Sequence, residues 1–203
     1  MRDVFVLGAG GHGKVVIATL RSLGYHVAAV LDDDGKLWGS GVSGITVAGP
    51  MDIVRKSKNP SAVIAVGINE TRRKIARRME GVDWISAVHP SAIVDPSVKI
   101  GPGTVIFAGA VIQPDSVLGN HAIINTGATV DHDCLIGNFV HVAPGCNLAG
   151  AVTLEEGAFM GIGSRAVPGV TVGAWTTVGA GATVLDDLPG GITAVGTPAR
   201  PVR

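Results

Sequence analysis

From Val88 onward the apolar positions fall on a period of six. Reading every sixth residue from Val88 to Val184 gives seventeen apolar side chains without exception. At 46% hydrophobic composition, chance produces such a run at a frequency on the order of 10⁻⁶. Four residues after each stands a small side chain, from Ala92 through Cys134 and Cys146 to Ala182, until Leu188 breaks the series. A period of six fits neither a 3.6-residue helix nor an alternating strand. It fits a chain that turns a corner every six residues, with three sides to a coil of eighteen. One aliphatic and one small side chain per side then fill a narrow triangular interior. Coils stacked at roughly 4.8 Å by backbone hydrogen bonds give a prism of five to six coils, about 25 Å tall. No coil buries its apolar face alone, so the neighbours supply the core.

The first 85 residues follow a different pattern. "VFVLGAGGHGKVVIATLRSLGY" reads as a buried strand, a glycine turn and an amphipathic helix. "HVAAVLDDD" is a second strand ending in acids, "SAVIAVGIN" a third, "ETRRKIARRME" a charged helix, and "VDWISAVHP" a last strand. Alternating strands and helices predict a parallel sheet. The expected organisation is thus an α/β Rossmann-like half-domain over residues 1–85, followed by the prism and a C-terminal tail over 86–203.

Gly8, Gly10 and Gly13 match G-x-G-x-x-G, and Asp32 lies where a ribose-binding acid is expected. Glycines there let amides at a helix N-terminus approach a phosphate. Gly8, Gly13 and Lys14 nearly spell a phosphate loop, but Val15 offers no hydroxyl for magnesium, which argues against an NTPase. The region holds only one mononucleotide half, so a single nucleotide is expected rather than NAD.

Composition narrows the classes further. Lys plus Arg equals Asp plus Glu at 16 each, which gives no net field toward nucleic acid or an anionic membrane. Thirty glycines and 4% aromatics suit a turn-rich repeat. Two cysteines make no disulfide framework, and both fall on the small inward position of a hexad. The N-terminus lacks a signal-peptide layout and no run of 18 apolar residues occurs, so a cytoplasmic protein without a membrane span is expected.

Within the repeat, "VDHDC" is the exception to the plain composition. Val130 and Cys134 take the inward positions, so His132 between them should project outward, with Asp131 and Asp133 equal candidates for orienting it. One coil further on stands Gly150, expected to leave open space above the imidazole for an acyl donor. His141 stands half a coil after His132 and should leave the opposite side of the prism.

The hexad pattern resembles the left-handed parallel β-helix of hexapeptide-repeat acyltransferases, and the handedness and a homotrimeric state are implied by that resemblance. Around a threefold axis, two histidines on opposite sides of one prism can meet across subunits, which predicts inter-subunit active sites. The motifs "GAGGHGKVV", "LDDD", "AVGIN", "INTGATVDHDC", "HVAPGCNLAG" and "VGTPARPV" together resemble the nucleotide-sugar acetyltransferases related to sialic-acid O-acetyltransferase. The resemblance implies that His132 is a general base, that Asp133 raises its basicity, and that His141, Gly150 and Ile162 contact acetyl-CoA. It also implies nucleotide-sugar contacts at Gly10, Gly11, His12, Asp32, Asp33 and Gly67. The expected reaction transfers acetyl from acetyl-CoA to the amino group of a UDP- or GDP-linked 4-amino-deoxy sugar, without a metal. The alternative is O-acetylation of sialic acid or a polysaccharide precursor. A zinc hydratase using His121, His132 and His141, and a nucleotide-binding scaffold, are more distant readings.

Overall fold

The computed structural model describes residues 3–202. The chain forms two compact units, Met1–Pro90 and Ser91–Arg203.

In the first unit, β1 (Asp3–Leu7), β2 (His26–Leu31), β5 (Ser61–Ile64) and β6 (Asp83–Trp84) form a parallel sheet in the order β2-β1-β5-β6. A small antiparallel hairpin, β3 (Gly41–Val42) and β4 (Ile45–Thr46), interrupts the connection from β2 to β5. The helix α1 (Gly11–Ser22) buries Gly13, Val16, Ile17 and Leu20, a stripe at helical spacing. The helix α2 (Asn69–Arg78) has one aliphatic residue in that role, Ile75, and buries Arg72 one turn before it. The expected last strand is broken: it forms Asp83–Trp84 and, separately, Ala87–Val88.

The strand order fixes where a ligand can sit. The chain leaves β1 toward β2 on one side and returns to β5 on the other, so the order reverses between β1 and β5. Loops at the carboxyl ends of those two strands border a crevice at this switch point. They are Gly8–Gly10 after β1 and Ala65–Ile68 after β5.

The second unit is the expected three-sided parallel coil. One face stacks strands from Ile93–Val94 through Thr129–Val130 to Thr183–Val184. The next runs from Lys99–Ile100 through Leu135–Ile136 to Thr171–Val172. The third includes Ile123–Ile124, His141–Val142 and Phe159–Met160. Partners are eighteen residues apart, as in Thr129 with Asn147. Every aliphatic hexad position from Ile106 to Val184 is buried, whereas Val94 and Ile100, in the first coil, are half-exposed. The period ends where Leu188 replaces the small residue: Thr177 pairs with Thr193, a spacing of sixteen. Arg200–Pro201 then folds back antiparallel on Ala194–Val195 and covers that edge.

The small inward positions do more than save space. Thr104 Oγ1 donates to the carbonyl of Gly119 (2.7 Å) and accepts the N–H of Ala122 (3.0 Å). Ser116 does the same for Asp131 (2.7 Å) and Cys134 (3.2 Å). These two hydroxyls thus clasp both ends of the turn one coil above, and so satisfy polar groups that are otherwise costly to bury. The thiols follow the pattern: Cys134 Sγ meets the carbonyl of Ala149 (3.3 Å) and Cys146 Sγ that of Gly161 (2.9 Å). Both thiols are buried, and burial raises their pKa, which keeps them as thiols rather than nucleophilic thiolates.

Candidate active site

His132 sits in the turn from Thr129–Val130 to Leu135–Ile136, and that turn is held from below by the Ser116 hydroxyl. Asp133 occupies the left-handed region at φ 59°, a conformation that a short polar side chain tolerates better than most. From there its Oδ2 lies 2.8 Å from His132 Nδ1. Asp131 acts on the main chain instead, where its Oδ1 accepts the backbone N–H of His132 at 2.8 Å. The two acids that the sequence leaves equivalent are therefore separated by geometry, one holding the ring and the other the backbone.

The contact with Asp133 places the proton on Nδ1 and leaves Nε2 with its lone pair. His132 is 60% exposed in its side chain, as its outward position predicts. Its pKa is raised, chiefly by the hydrogen bond to Asp133 and then by the charges of Asp131 and Asp133, against a lowering from desolvation.

Gly150 departs from expectation. The space that its missing side chain leaves is not open, because the imidazole of His132 fills it. A Cβ on Gly150 would stand 2.5 Å from Cε1 and 2.6 Å from Nε2 of that ring. The missing side chain of Gly150 is what makes room for the ring.

His141 is on the third face, opposite the corner that carries His132, and only 8% exposed. Asn125 fixes its protonation. The Asn125 Oδ1 accepts the Thr126 N–H (2.9 Å), so the amide nitrogen faces His141 Nε2 at 3.0 Å. A donor there makes Nε2 the acceptor and puts the imidazole proton on Nδ1. Phe159 packs edge-on against the ring at 5.2 Å. Ile162 is exposed, in the turn from Phe159–Met160 to Arg165–Ala166, with its carbonyl accepting the Gly181 N–H. Within one chain, then, His132, Asp133 and Gly150 share one corner, while His141 and Ile162 lie around another.

The residues expected at the nucleotide lie together in the first unit. Gly8 (φ 125°) and Gly13 are structural: a Cβ on Gly8 would meet the Ala65 carbonyl at 2.7 Å, and one on Gly13 the Gly8 carbonyl at 2.6 Å. Gly10 and Gly11 are not, since a Cβ on either meets nothing within 4 Å. Asp32 ties the loop down, with Oδ2 accepting the Ala9 N–H (2.8 Å) and Oδ1 the Asp34 N–H (2.9 Å). Asp33 accepts the Met51 N–H (3.0 Å) and binds Arg78 Nη2 (2.7 Å). A cleft of about 340 Å³ is lined by Asp32, Asp33, Val66, Lys74, Ile75 and Arg78, among others. Gly67 and the half-buried His12 converge on Arg72. Its guanidinium donates to the Gly67 carbonyl, and its charge, after burial, helps lower the His12 pKa to about 4.

Sequence reasoning missed Arg72, Ser116 and Asn125. Arg72 stands one turn before Ile75, but a single aliphatic residue marks no apolar stripe on this charged helix. Ser116 and Asn125 act through contacts eighteen and sixteen residues away, which no local pattern announces. Among the described residues, no group of three His, Cys, Asp or Glu side chains is arranged to hold a metal ion. His121 is buried and stacked on Phe139 at 5.3 Å.

Comparison with known proteins identifies the fold and the family. Residues 3–79 match the PglD N-terminal domain, and residues 97–132 match the bacterial transferase hexapeptide family of six repeats, in keeping with the left-handed coil. PerB from Caulobacter crescentus, solved with CoA and GDP-perosamine, is 43% identical with a TM-score of 0.94, over 100% of this chain and 98% of that one. The acetyltransferase domain of PglB from Neisseria gonorrhoeae FA1090, solved with acetyl coenzyme A, is 40% identical with a TM-score of 0.93, over 99% of both. UDP-N-acetylbacillosamine N-acetyltransferase of Bacillus subtilis (strain 168) is 44% identical over 116 residues, 53% of this chain and 52% of that relative, so the match spans about half of its length. The chain belongs to the hexapeptide-repeat nucleotide-sugar N-acetyltransferases with a PglD-type N-terminal domain.

Proposed function

We propose that this protein transfers acetyl from acetyl-CoA to the amino group of a UDP- or GDP-linked 4-amino-deoxy sugar, in glycan biosynthesis. The observation that carries the chemistry is the His132–Asp133 pair, with Nδ1 bound to the carboxylate and Nε2 left as a base. Nitrogen is the acceptor that the relatives' names support, since those proteins are N-acetyltransferases; a hydroxyl acceptor has no such support.

The amine attacks the thioester carbonyl while Nε2 of His132 takes the proton that the nitrogen must lose. The carbonyl electrons move to oxygen, where a donor at or near His141 stabilises the charge. Collapse re-forms the carbonyl and expels the CoA thiolate, which takes its proton from the imidazolium. Products are the amide, free thiol and neutral His132. Both cysteines are buried thiols, so direct transfer in a ternary complex accounts for the reaction without an acyl-enzyme.

The nucleotide is assigned to the crevice bordered by Gly10, Gly11, His12 and Gly67, with Asp32 and Asp33 at its margin. Acetyl-CoA is assigned to His141, Gly150 and Ile162. The separation of these three between two corners of one prism supports a homotrimer in which adjacent subunits complete each site. Both substrates are cytoplasmic metabolites, which supports a cytoplasmic location.

The test follows thiol released from acetyl-CoA over a panel of UDP- and GDP-linked 4-amino sugars and their 4-hydroxy counterparts. Release with one amino sugar alone is the expected result, with intersecting initial-rate lines. Release only with a hydroxyl compound would replace the N-acetyl reading by O-acetylation.

Two further outcomes follow from the site. Activity needs neutral His132, so kcat/KM should fall as pH drops through its raised pKa. Asp133→Asn removes the largest cause of the rise, and the acid limb of the pH–rate profile should move to lower pH. The plateau should drop by roughly ten- to a hundredfold, because the ring loses orientation and basicity. An unmoved limb would show that another group titrates there.

The glycine loop separates packing from binding. Gly8→Ala should cost about 3 kcal/mol in urea melts, from backbone strain and the Ala65 contact. Gly11→Ala, at a helical position, should leave stability equal or slightly raised, yet weaken nucleotide binding measured by calorimetry. Unchanged nucleotide affinity in Gly11→Ala would remove that residue from the binding crevice.

A further inference from the structure

The bulkiest fully buried side chain among the described residues is not apolar but Arg72, 1% exposed on α2. Arginine is almost never buried unless its hydrogen bonds are met. Here Nη1 donates to the carbonyl oxygens of Val66 (3.0 Å) and Gly67 (3.2 Å), and Nη2 donates to Asn69 Oδ1 (3.0 Å). All three acceptors belong to the segment that leaves β5 and enters α2. The side chain reaches back over the start of its own helix and grips the loop that borders the switch-point crevice.

That grip sets the polarity of the loop. A trans peptide is planar, with its N–H opposed to its C=O. Carbonyls of Val66 and Gly67 drawn toward the guanidinium therefore turn the N–H groups of Gly67 and Ile68 the other way. A loop that shows N–H groups favours an anion, and one that shows carbonyls repels it. Asn69 is itself buried and braces the second guanidinium nitrogen, so the fork has little freedom to relax. Burial lowers the Arg72 pKa only to about 9, so it stays charged at neutral pH.

We infer that Arg72 is a positioning residue for the nucleotide sugar: it holds the Val66 and Gly67 carbonyls inward, so that the β5 loop faces the diphosphate with N–H groups. The inference rests on the assignment of this crevice to the nucleotide sugar. Arg72 does not touch the substrate; it acts through the loop. A lysine keeps the charge but not the planar fork that serves three acceptors at fixed angles.

The experiment compares Arg72→Lys and Arg72→Met with wild type, after circular dichroism and melting have shown that each variant folds. UDP and GDP binding is measured by calorimetry, and KM is determined separately for nucleotide sugar and acetyl-CoA. Arg72→Lys should weaken nucleoside diphosphate binding and raise the nucleotide-sugar KM about tenfold. The acetyl-CoA KM and saturating kcat should stay near wild type, and Arg72→Met should lose more. A folded Arg72→Lys with wild-type affinity overturns the inference. So does a parallel loss of both KM values together with a lowered Tm, which would mark a purely structural arginine. Should wild type bind neither UDP nor GDP, the crevice assignment itself fails, a result separable from any ratio between variants.

Discussion

Replacing His132 with alanine is expected to lower kcat/KM by roughly a hundred- to ten-thousandfold, the usual contribution of a positioned general base. The loss should fall on kcat, because Nε2 acts when the amine loses its proton and little when the substrate docks. KM for the nucleotide sugar should stay within about threefold, since the proposed nucleotide crevice lies in the first unit. The side chain is 60% exposed and contributes nothing to the interior of the coil, so the melting temperature should hardly change. Stopped assays of thiol release on both proteins, beside their thermal melts, check each part. Wild-type turnover in the variant would mean that the Asp133-bound imidazole is not the base and that the amine arrives already deprotonated.

Gly150→Ala should be nearly as damaging, by a different route. The added Cβ would stand 2.5 Å from the His132 ring, a separation that cannot persist. The ring is exposed, so it can swing away at little energetic cost, and the loss of stability should stay under about 1 kcal/mol. Swinging away breaks the 2.8 Å contact with Asp133 and displaces Nε2 from its working position. A shift of about 1 Å at a reacting group costs on the order of a hundredfold in rate. A double-mutant cycle isolates the cause. If Gly150 acts only by making room for the imidazole, its replacement adds nothing once His132 is already alanine. A further drop in the double variant would show that Gly150 also meets acetyl-CoA directly, the role that the resemblance assigns to it.

These two residues show where the sequence was legible and where it was not. The hexad period placed Val130 and Cys134 inside, and with them forced His132 outward, because side chains at fixed positions of a coil have no choice of direction. The same logic put Gly150 one coil above His132. Whether that glycine left a void or made room for the ring depended on a side-chain torsion, which carries no periodic signature. Asp131 and Asp133 flank His132 symmetrically in sequence, and only the left-handed backbone at Asp133 broke the tie.

The first unit divides in the same manner. The strand–glycine–helix pattern and Asp32 marked out the loops that border the switch-point crevice, since the geometry of a βαβ turn follows from local rules. That Gly8 serves packing emerged only when β5 was laid beside β1, whereas Gly13 packs on the Gly8 carbonyl within its own turn and Gly10 and Gly11 face open space. Arg72 looked like one charge among many on a polar helix, and its burial became apparent only with the sheet behind it.

What the sequence determined by itself was periodic: the coil, its apolar interior, the outward histidine, the half-domain before it, and through its motifs the family. Such features repeat or lie within a few residues, so short-range sterics and hydrophobic spacing suffice to encode them. Tertiary structure alone decided which acid holds the imidazole, which proton His141 carries, which hydroxyl clasps the His132 turn, and which cation grips the loop after β5. Each of those depends on groups brought together from different coils or strands, or on the torsions of single side chains, and neither leaves a period to read.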